Sequence, residues 1–290
     1  MMETKTWLNR KEYPFKSNFF ETGIGKMHYI DEGEGDPILF IHGNPTWSFT
    51  YRKIIKVLSV KYRCIAVDLI GFGLSDKPFN WYYKPEHHAK YIAAFIDQMN
   101  LKNLTLVVND WGGPIGLSYA VNNPDNIKSL VLFNTWMWSV KGYGYYERFS
   151  GFMGGKLGRF LIKYFNFFGR SVVPMATGNK ANFPKEMQYH YFAHLETKQD
   201  RKGSWVFPKE IINSSDWLDS LWQKRQAIKK TPVLLLWGLK DIAFRKDILK
   251  KWEDFFDCSE SHEYLDAGHY PQEEKGNDAA ERIFSFLHSI

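Results

Sequence analysis

An α/β fold with one mostly parallel sheet follows from three features of the 290-residue chain. Apolar, β-branched runs bounded by turn residues recur along it, segments of helical periodicity separate several of them, and a glycine-bearing turn joins two extended pieces near the start. Those two pieces, Lys16 to Thr22 and Lys26 to Asp31, predict an antiparallel hairpin on one edge of the sheet. The buried runs follow as PILFIHG from Pro37, CIAVDLIG from Cys64, LTLVVND from Leu104, SLVLFN from Ser129, PVLLLWG from Pro232 and HEYLDAG from His262. Such continuous apolar runs predict strands covered on both faces, which makes an eight-stranded mixed sheet flanked by helices. Between the second and third runs, HHAKYIAAFIDQMN places Ala89, Ile92, Ala93 and Ile96 at intervals of three and four, a helix with one apolar face.

The rhythm breaks once. From about Thr135 to Asp216 there is no convincing buried strand, and aromatic residues crowd SVKGYGYYERFSGF, LIKYFNFFGR and MQYHYFAHLE. Because strands resume at Pro232, this stretch predicts a helical cap over 135–216, inserted into a main domain formed by 1–134 and 217–290. The cap's apolar excess is expected to line a cavity instead of facing water.

Composition narrows the function classes. Hydrophobic residues at 44% and charged residues at 24% suit an ordinary globular protein. The net charge of +6 is read as spread along the chain, with its densest clusters, KRQAIKK near Lys224 and RKDILKK near Arg245, on solvated helix faces. No basic stripe interleaved with aromatics suggests a nucleic-acid partner. Two cysteines, Cys64 and Cys258, are poor material for a disulfide framework or a zinc site, so neither metal nor cofactor is expected. The N-terminal METKTWLNRKEYPF lacks an apolar leader and no later run is long enough to cross a bilayer, so the expectation is a cytoplasmic protein without a membrane partner.

In an open parallel sheet, ligands bind beyond the carboxyl ends of the strands. The residues there are His42-Gly43-Asn44-Pro45, Asp110-Trp111, Asn134, Asp241 and His269. The order nucleophile, acid, histidine is that of the α/β-hydrolase triad, and NDWGG fits a nucleophile elbow with Asp110 where a serine usually stands. A carboxylate is ionised at neutral pH and can attack carbon without a base. The resulting ester needs activated water, a task for His269 as general base, with Asp241 orienting the imidazole. Trp111 offers an indole N–H and Asn44 a side-chain amide, two neutral donors suited to a departing halide. The backbone N–H groups of the same two residues could hold an oxyanion during ester hydrolysis. Each has a plainer alternative: an aspartate before a helix is often an N-cap, Asp241 could cap the helix after it, a histidine at a strand end is often structural, and Trp111 and Asn44 could serve packing and turn formation.

HGNPTWSFTYR, DLIGFGLSDKP, VVNDWGGPIGL, LLLWGLKDIAF and DAGHYPQEE together resemble the haloalkane dehalogenases of the α/β-hydrolase superfamily over nearly the whole chain. The resemblance implies Asp110 as nucleophile, His269 as base, and Trp111 with Asn44 as halide ligands. It implies small apolar halogenated substrates, with water consumed and chloride or bromide and a primary alcohol released. Since LFNTWMW after the fourth buried run holds no acid, Asp241 is the remaining triad acid. With Asn44 and Trp111 as the halide pair, the chain looks most like the family's third subgroup, in which homo-oligomers occur. Two alternatives stand beside this one: an epoxide hydrolase, which shares the aspartate but uses two cap tyrosines, and a luciferase-like or binding relative that keeps the pocket. Asn44 favours halide over epoxide.

Overall fold

A computed structural model describes residues 5–290; the first four residues of the expected leaderless terminus lie outside them. The strands are β1 (Asn18–Glu21), β2 (Lys26–Glu32), β3 (Pro37–Ile41), β4 (Arg63–Val67), β5 (Leu104–Asn109), β6 (Ile127–Phe133), β7 (Val233–Gly238) and β8 (Ser259–Tyr264). They form one eight-stranded sheet in the order β1-β2-β4-β3-β5-β6-β7-β8. β1 and β2 form the expected antiparallel hairpin, β2 runs antiparallel to β4, and every other neighbour is parallel.

Side chains alternate across the central strands with a period of two. Leu39, Leu106, Leu132 and Leu235 enter one buried cluster, while Phe40, Val107, Val131 and Leu234 enter another on the opposite face. Every residue of β5 and of β7 is buried, as a sheet with helices on both sides requires. β8 departs from that expectation. It starts at Ser259, stops at Tyr264, and its first three residues are exposed, because an edge strand has a neighbour on one side only.

Before β6 the chain forms α1 (Arg52–Leu58), α2 (Pro85–Gln98) and α3 (Gly112–Asn122). α2 begins before the histidines that mark it in sequence, at Pro85, whose fixed φ suits a first helical position. Between β6 and β7 come α4 (Gly144–Met153), α5 (Lys156–Phe165), the single turn α6 (Val173–Met175), α7 (Lys185–Ala193), α8 (Lys202–Asn213) and α9 (Ser215–Gln223). The proposed cap, 135–216, holds α4 to α8, and position 216 falls within α9, which packs on α3. After β7 follow α10 (Lys246–Glu253), α11 (Pro271–Glu274) and α12 (Gly276–Ser289). Only part of the cap's aromatic excess turns inward. Phe149 and Phe168 face a cavity, whereas Phe152, Phe160, Tyr164 and Phe165 are exposed. Cys64 is buried in β4 and Cys258 is exposed, both as free thiols.

A buried ionic cluster ties α1 to α11 and to the cap. Arg52 has no exposed side-chain surface and forms a two-pronged pair with Glu273, one prong being Nη2–Oε1 at 2.9 Å. The Tyr191 hydroxyl of α7 donates to Glu273 Oε2 at 2.8 Å, and the Lys53 ammonium lies 2.9 Å from Oε1. These partners, led by Arg52, outweigh the burial penalty and hold the Glu273 carboxyl below its ordinary range. Removing one member strands the other charge in the interior. Glu273→Ala is therefore expected to lower unfolding stability by about 3–5 kcal/mol in urea titrations; a loss under about 1 kcal/mol, the scale of an exposed pair, would contradict the assignment.

Candidate active site

The elbow between β5 and α3 carries Asp110 at a φ of +50°, in the left-handed region. Few side chains tolerate that conformation, and aspartate is among them. Three hydrogen bonds hold it: Asp110 N–H donates to the Asn134 carbonyl at 3.0 Å, while its own carbonyl accepts from Gly113 N–H at 3.0 Å and from the Thr135 hydroxyl at 2.6 Å. Crowding explains two glycines of the surrounding motifs. A Cβ on Gly112 would lie 2.1 Å from the Ile41 carbonyl oxygen, and one on Gly43 would lie 2.2 Å from Asp110 Oδ1. Only backbone fits between the elbow and the loop after β3.

Removing that Cβ lets the HGNP loop reach the carboxylate. Asn44 N–H donates to Asp110 Oδ1 at 2.7 Å. His42 fixes the base of the loop, since its Nδ1 bonds the Gly43 carbonyl at 2.8 Å and its Nε2 accepts from Leu69 N–H at 2.9 Å. Burial lowers the His42 pKa, which keeps the ring neutral and able to accept that bond.

On the other side, His269 Nε2 stands 3.5 Å from Asp110 Oδ2 and its Nδ1 is 2.8 Å from Asp241 Oδ2. Asp110, His269 and Asp241 thus form one chain of contacts. Asp241 is itself held by Ala243 N–H on Oδ1 at 2.7 Å and by Asn134 Nδ2 on Oδ2 at 2.9 Å. Burial opposes a charge on the imidazole, but Asp241 and Asp110 together outweigh it and push the His269 pKa up to about 10. The two carboxylates thus favour the charged form of the ring.

Trp111 is buried against Trp136, with ring centroids 4.7 Å apart, and against Phe207 at 5.3 Å. Among the described residues, neither its indole N–H nor the Asn44 side-chain amide donates to a protein acceptor; both residues line the cavity above Asp110. That cavity is about 80 Å³ and its walls are largely apolar, including Val140, Phe149, Phe168, Val172 and Ile211. Two cap tyrosines also line it, but their hydroxyls are engaged: Tyr145 donates to the Ile242 carbonyl at 2.8 Å and Tyr146 to the Ala243 carbonyl at 2.7 Å.

Of the five residues expected from the sequence, Asp110, His269, Asn44 and Trp111 line one cavity, and Asp241 lies buried behind it in contact with His269. Others were not assigned roles from sequence. Asn134 stands at a strand end, which marks it as facing the site, yet its bond to Asp241 spans 107 positions. Glu274 accepts from Gly268 N–H at 2.8 Å and from Asn179 N–H at 2.7 Å, tying the histidine loop to the cap. Asn109 donates to the His269 carbonyl at 3.2 Å.

Residues 36–276 match the family described as alpha/beta hydrolase fold. Haloalkane dehalogenase 2 of Mycobacterium tuberculosis is 38% identical, over 93% of this chain and 93% of that one. A cis-3-alkyl-4-alkyloxetan-2-one decarboxylase of Shewanella oneidensis is 33% identical, over 94% of this chain and 89% of the relative. Among solved structures, the haloalkane dehalogenase DatA of Agrobacterium tumefaciens superposes with a TM-score of 0.85 at 26% identity, covering 94% of this chain and 96% of that one.

The proton on His269 links the site to stability. Because its folded pKa is raised from 6.5 to about 10, the stabilisation is complete below about pH 6.5 and is lost as pH rises toward 10. Thermal melts across that window are expected to show a steeper fall for the native chain than for His269→Gln; parallel curves would refute the imidazolium.

Proposed function

The chain belongs to the α/β-hydrolase family and, within it, to the group of the haloalkane dehalogenases, and we propose that it hydrolyses carbon–halogen bonds of small haloalkanes through an ester on Asp110. The single observation that carries this is the pairing of an elbow carboxylate with two unengaged neutral donors, Trp111 Nε1 and the Asn44 amide, in one apolar cavity. Asp110 Oδ2 attacks the halogenated carbon from the side facing His269. The halide leaves with the electron pair of the broken bond and is stabilised by the indole and amide N–H groups where water is excluded.

Forming the ester removes the charge of Asp110. His269 then keeps only one of the two carboxylates that held its proton, so the ring releases that proton and becomes a base only once there is an ester to hydrolyse. Water gives a proton to Nε2 and its oxygen adds to the Asp110 carboxyl carbon. The developing oxyanion lies on Oδ1, at which Asn44 N–H already aims from 2.7 Å, with Trp111 N–H as the proposed second donor. Collapse breaks the bond from the carboxyl carbon to the alkyl oxygen, which takes the proton of the added hydroxyl as the Asp110 carboxylate re-forms, so the net products are alcohol, halide and the one proton His269 released earlier.

A second chemistry is favoured by one observation, the similarity to the Shewanella oxetanone decarboxylase. The unengaged donors Trp111 Nε1 and the Asn44 amide favour haloalkane hydrolysis over it. Epoxide opening has less support, because the hydroxyls of Tyr145 and Tyr146 are committed to backbone carbonyls and not free to protonate an epoxide oxygen.

Asp110→Ala is expected to abolish halide release from 1-bromobutane or 1,2-dibromoethane; retained turnover would end this proposal. His269→Gln should release one equivalent of halide and leave an alkylated protein, visible as a mass increase of the intact chain. Absence of the adduct with a substrate that the native chain consumes would place His269 earlier in the reaction. Trp111→Phe is expected to slow carbon–halogen cleavage by about 10²-fold, the usual cost of one lost donor to a developing anion, measured in a single turnover. An assay for decarboxylation of a dialkyl oxetanone, run beside the halide assay, separates the two chemistries.

A further inference from the structure

Residues 148–185 of the cap contain seven lysines and arginines and no aspartate or glutamate. The clusters near Lys224 and Arg245 together hold as many net charges, but there an acid, Asp247, stands among the cations, unlike in the cap stretch. None of the seven forms an ion pair among the described residues. α5 lies within this stretch. It seats Gly158 and Ile162 inward, where Ile162 packs with Met153, Phe168 and Trp205. Its solvent side presents Leu157, Phe160, Tyr164 and Phe165, which are 59%, 49%, 43% and 60% exposed. The Phe160 ring lies 4.8 Å from Tyr164 and 5.9 Å from Phe165, so the exposed rings form one patch. Lys156 and Arg159 are exposed on the same helix, and Arg170 lies exposed just beyond it. Glu147, before this stretch, accepts from the Gly142 backbone N–H, and Glu186, after it, is exposed.

We propose that α5 and the basic surface around it dock the protein on an anionic lipid bilayer. Leu157, Phe160, Tyr164 and Phe165 enter the headgroup boundary, and Lys156, Arg159, Lys163 and Arg170 meet lipid anions. An amphipathic helix with aromatic and aliphatic residues beside lysine and arginine has the composition of an interfacial anchor, and it needs no membrane-spanning helix, of which there is none among the described residues. A second copy is a poorer occupant. A two-fold interface would set this cationic face against itself with no acid in the stretch to offset it. This inference is independent of the reaction assigned to the cavity.

The test is co-sedimentation of the full chain with vesicles of phosphatidylcholine alone or mixed with phosphatidylglycerol. Binding is expected to the mixed vesicles at low salt, to weaken as salt rises, and to be absent for phosphatidylcholine alone. Lys156→Gln with Arg159→Gln should lower the partition coefficient on the order of 25-fold, from about fivefold per basic residue. Phe160→Ser with Phe165→Ser should also lose binding with the charge unchanged. Both double variants replace exposed residues away from the cavity, so halide release from a small dissolved haloalkane should be kept. No sedimentation with mixed vesicles would overturn the proposal. So would binding that responds to the charge variant but not to the phenylalanine variant, which means simple polyanion attraction, or a dimer seen by light scattering that the phenylalanine variant dissolves.

Discussion

The arrangement around the candidate site depends on one backbone conformation, the left-handed turn at Asp110. It takes the chain out of β5 and into α3 within one residue, so the carboxylate stands above the sheet edge. The neighbours in the sheet then decide what it meets. Because β3, β5, β6, β7 and β8 are adjacent and parallel, the loops that follow them open on the same edge. Asn44, Asp110, Asn134, Asp241 and His269 come from five different loops. A strained elbow persists only when its surroundings over-determine it, and the bonds from Asn134, Gly113 and Thr135 supply that constraint.

The distribution of charge is as restrictive as the geometry. One imidazole lies behind Asp110 in contact with two carboxylates that favour its charged form, and the cavity side offers only neutral donors. A lysine or arginine at the place of Asn44 would stabilise a leaving anion more strongly, but it would also pair with Asp110 in an apolar setting and hold the carboxylate out of reach of substrate. An indole and an amide avoid this. They carry partial positive charge for an anion and too little to bind the nucleophile tightly.

Much of this was legible in the sequence because buried parallel strands announce themselves as apolar runs, and the positions after such runs are where parallel sheets place chemistry. That rule, together with the family likeness, singles out Asp110, Trp111, Asn44, Asp241 and His269 as candidates. Interactions between loops were harder to find. Asn134 sat on the expected edge, but nothing near it in sequence points to Asp241, since the contact depends on β6 lying beside β7. Exposure at sheet edges and cap surfaces was also hidden: β8 resembles its buried neighbours until the missing ninth strand is noticed, and the rings of α5 look like cavity lining until the helix is rotated onto its Ile162 face. Local density of lysines marks the two clusters near the C-terminal half, whereas the sparser cations of 148–185 stand out only when the absence of acids there is counted.

The bonds from Tyr145 and Tyr146 to the carbonyls of Ile242 and Ala243 have a mechanical side. These carbonyls directly follow Asp241, so α4 of the cap is stitched to the loop that carries the acid. Lifting the cap from that side would pull on Asp241 and disturb its contact with His269. Opening the cap at this corner therefore requires breaking both tyrosine bonds first. The opposite wall of the cavity, with Phe168 and Val172 after α5, has no such stitch to the Asp241 loop among the described residues.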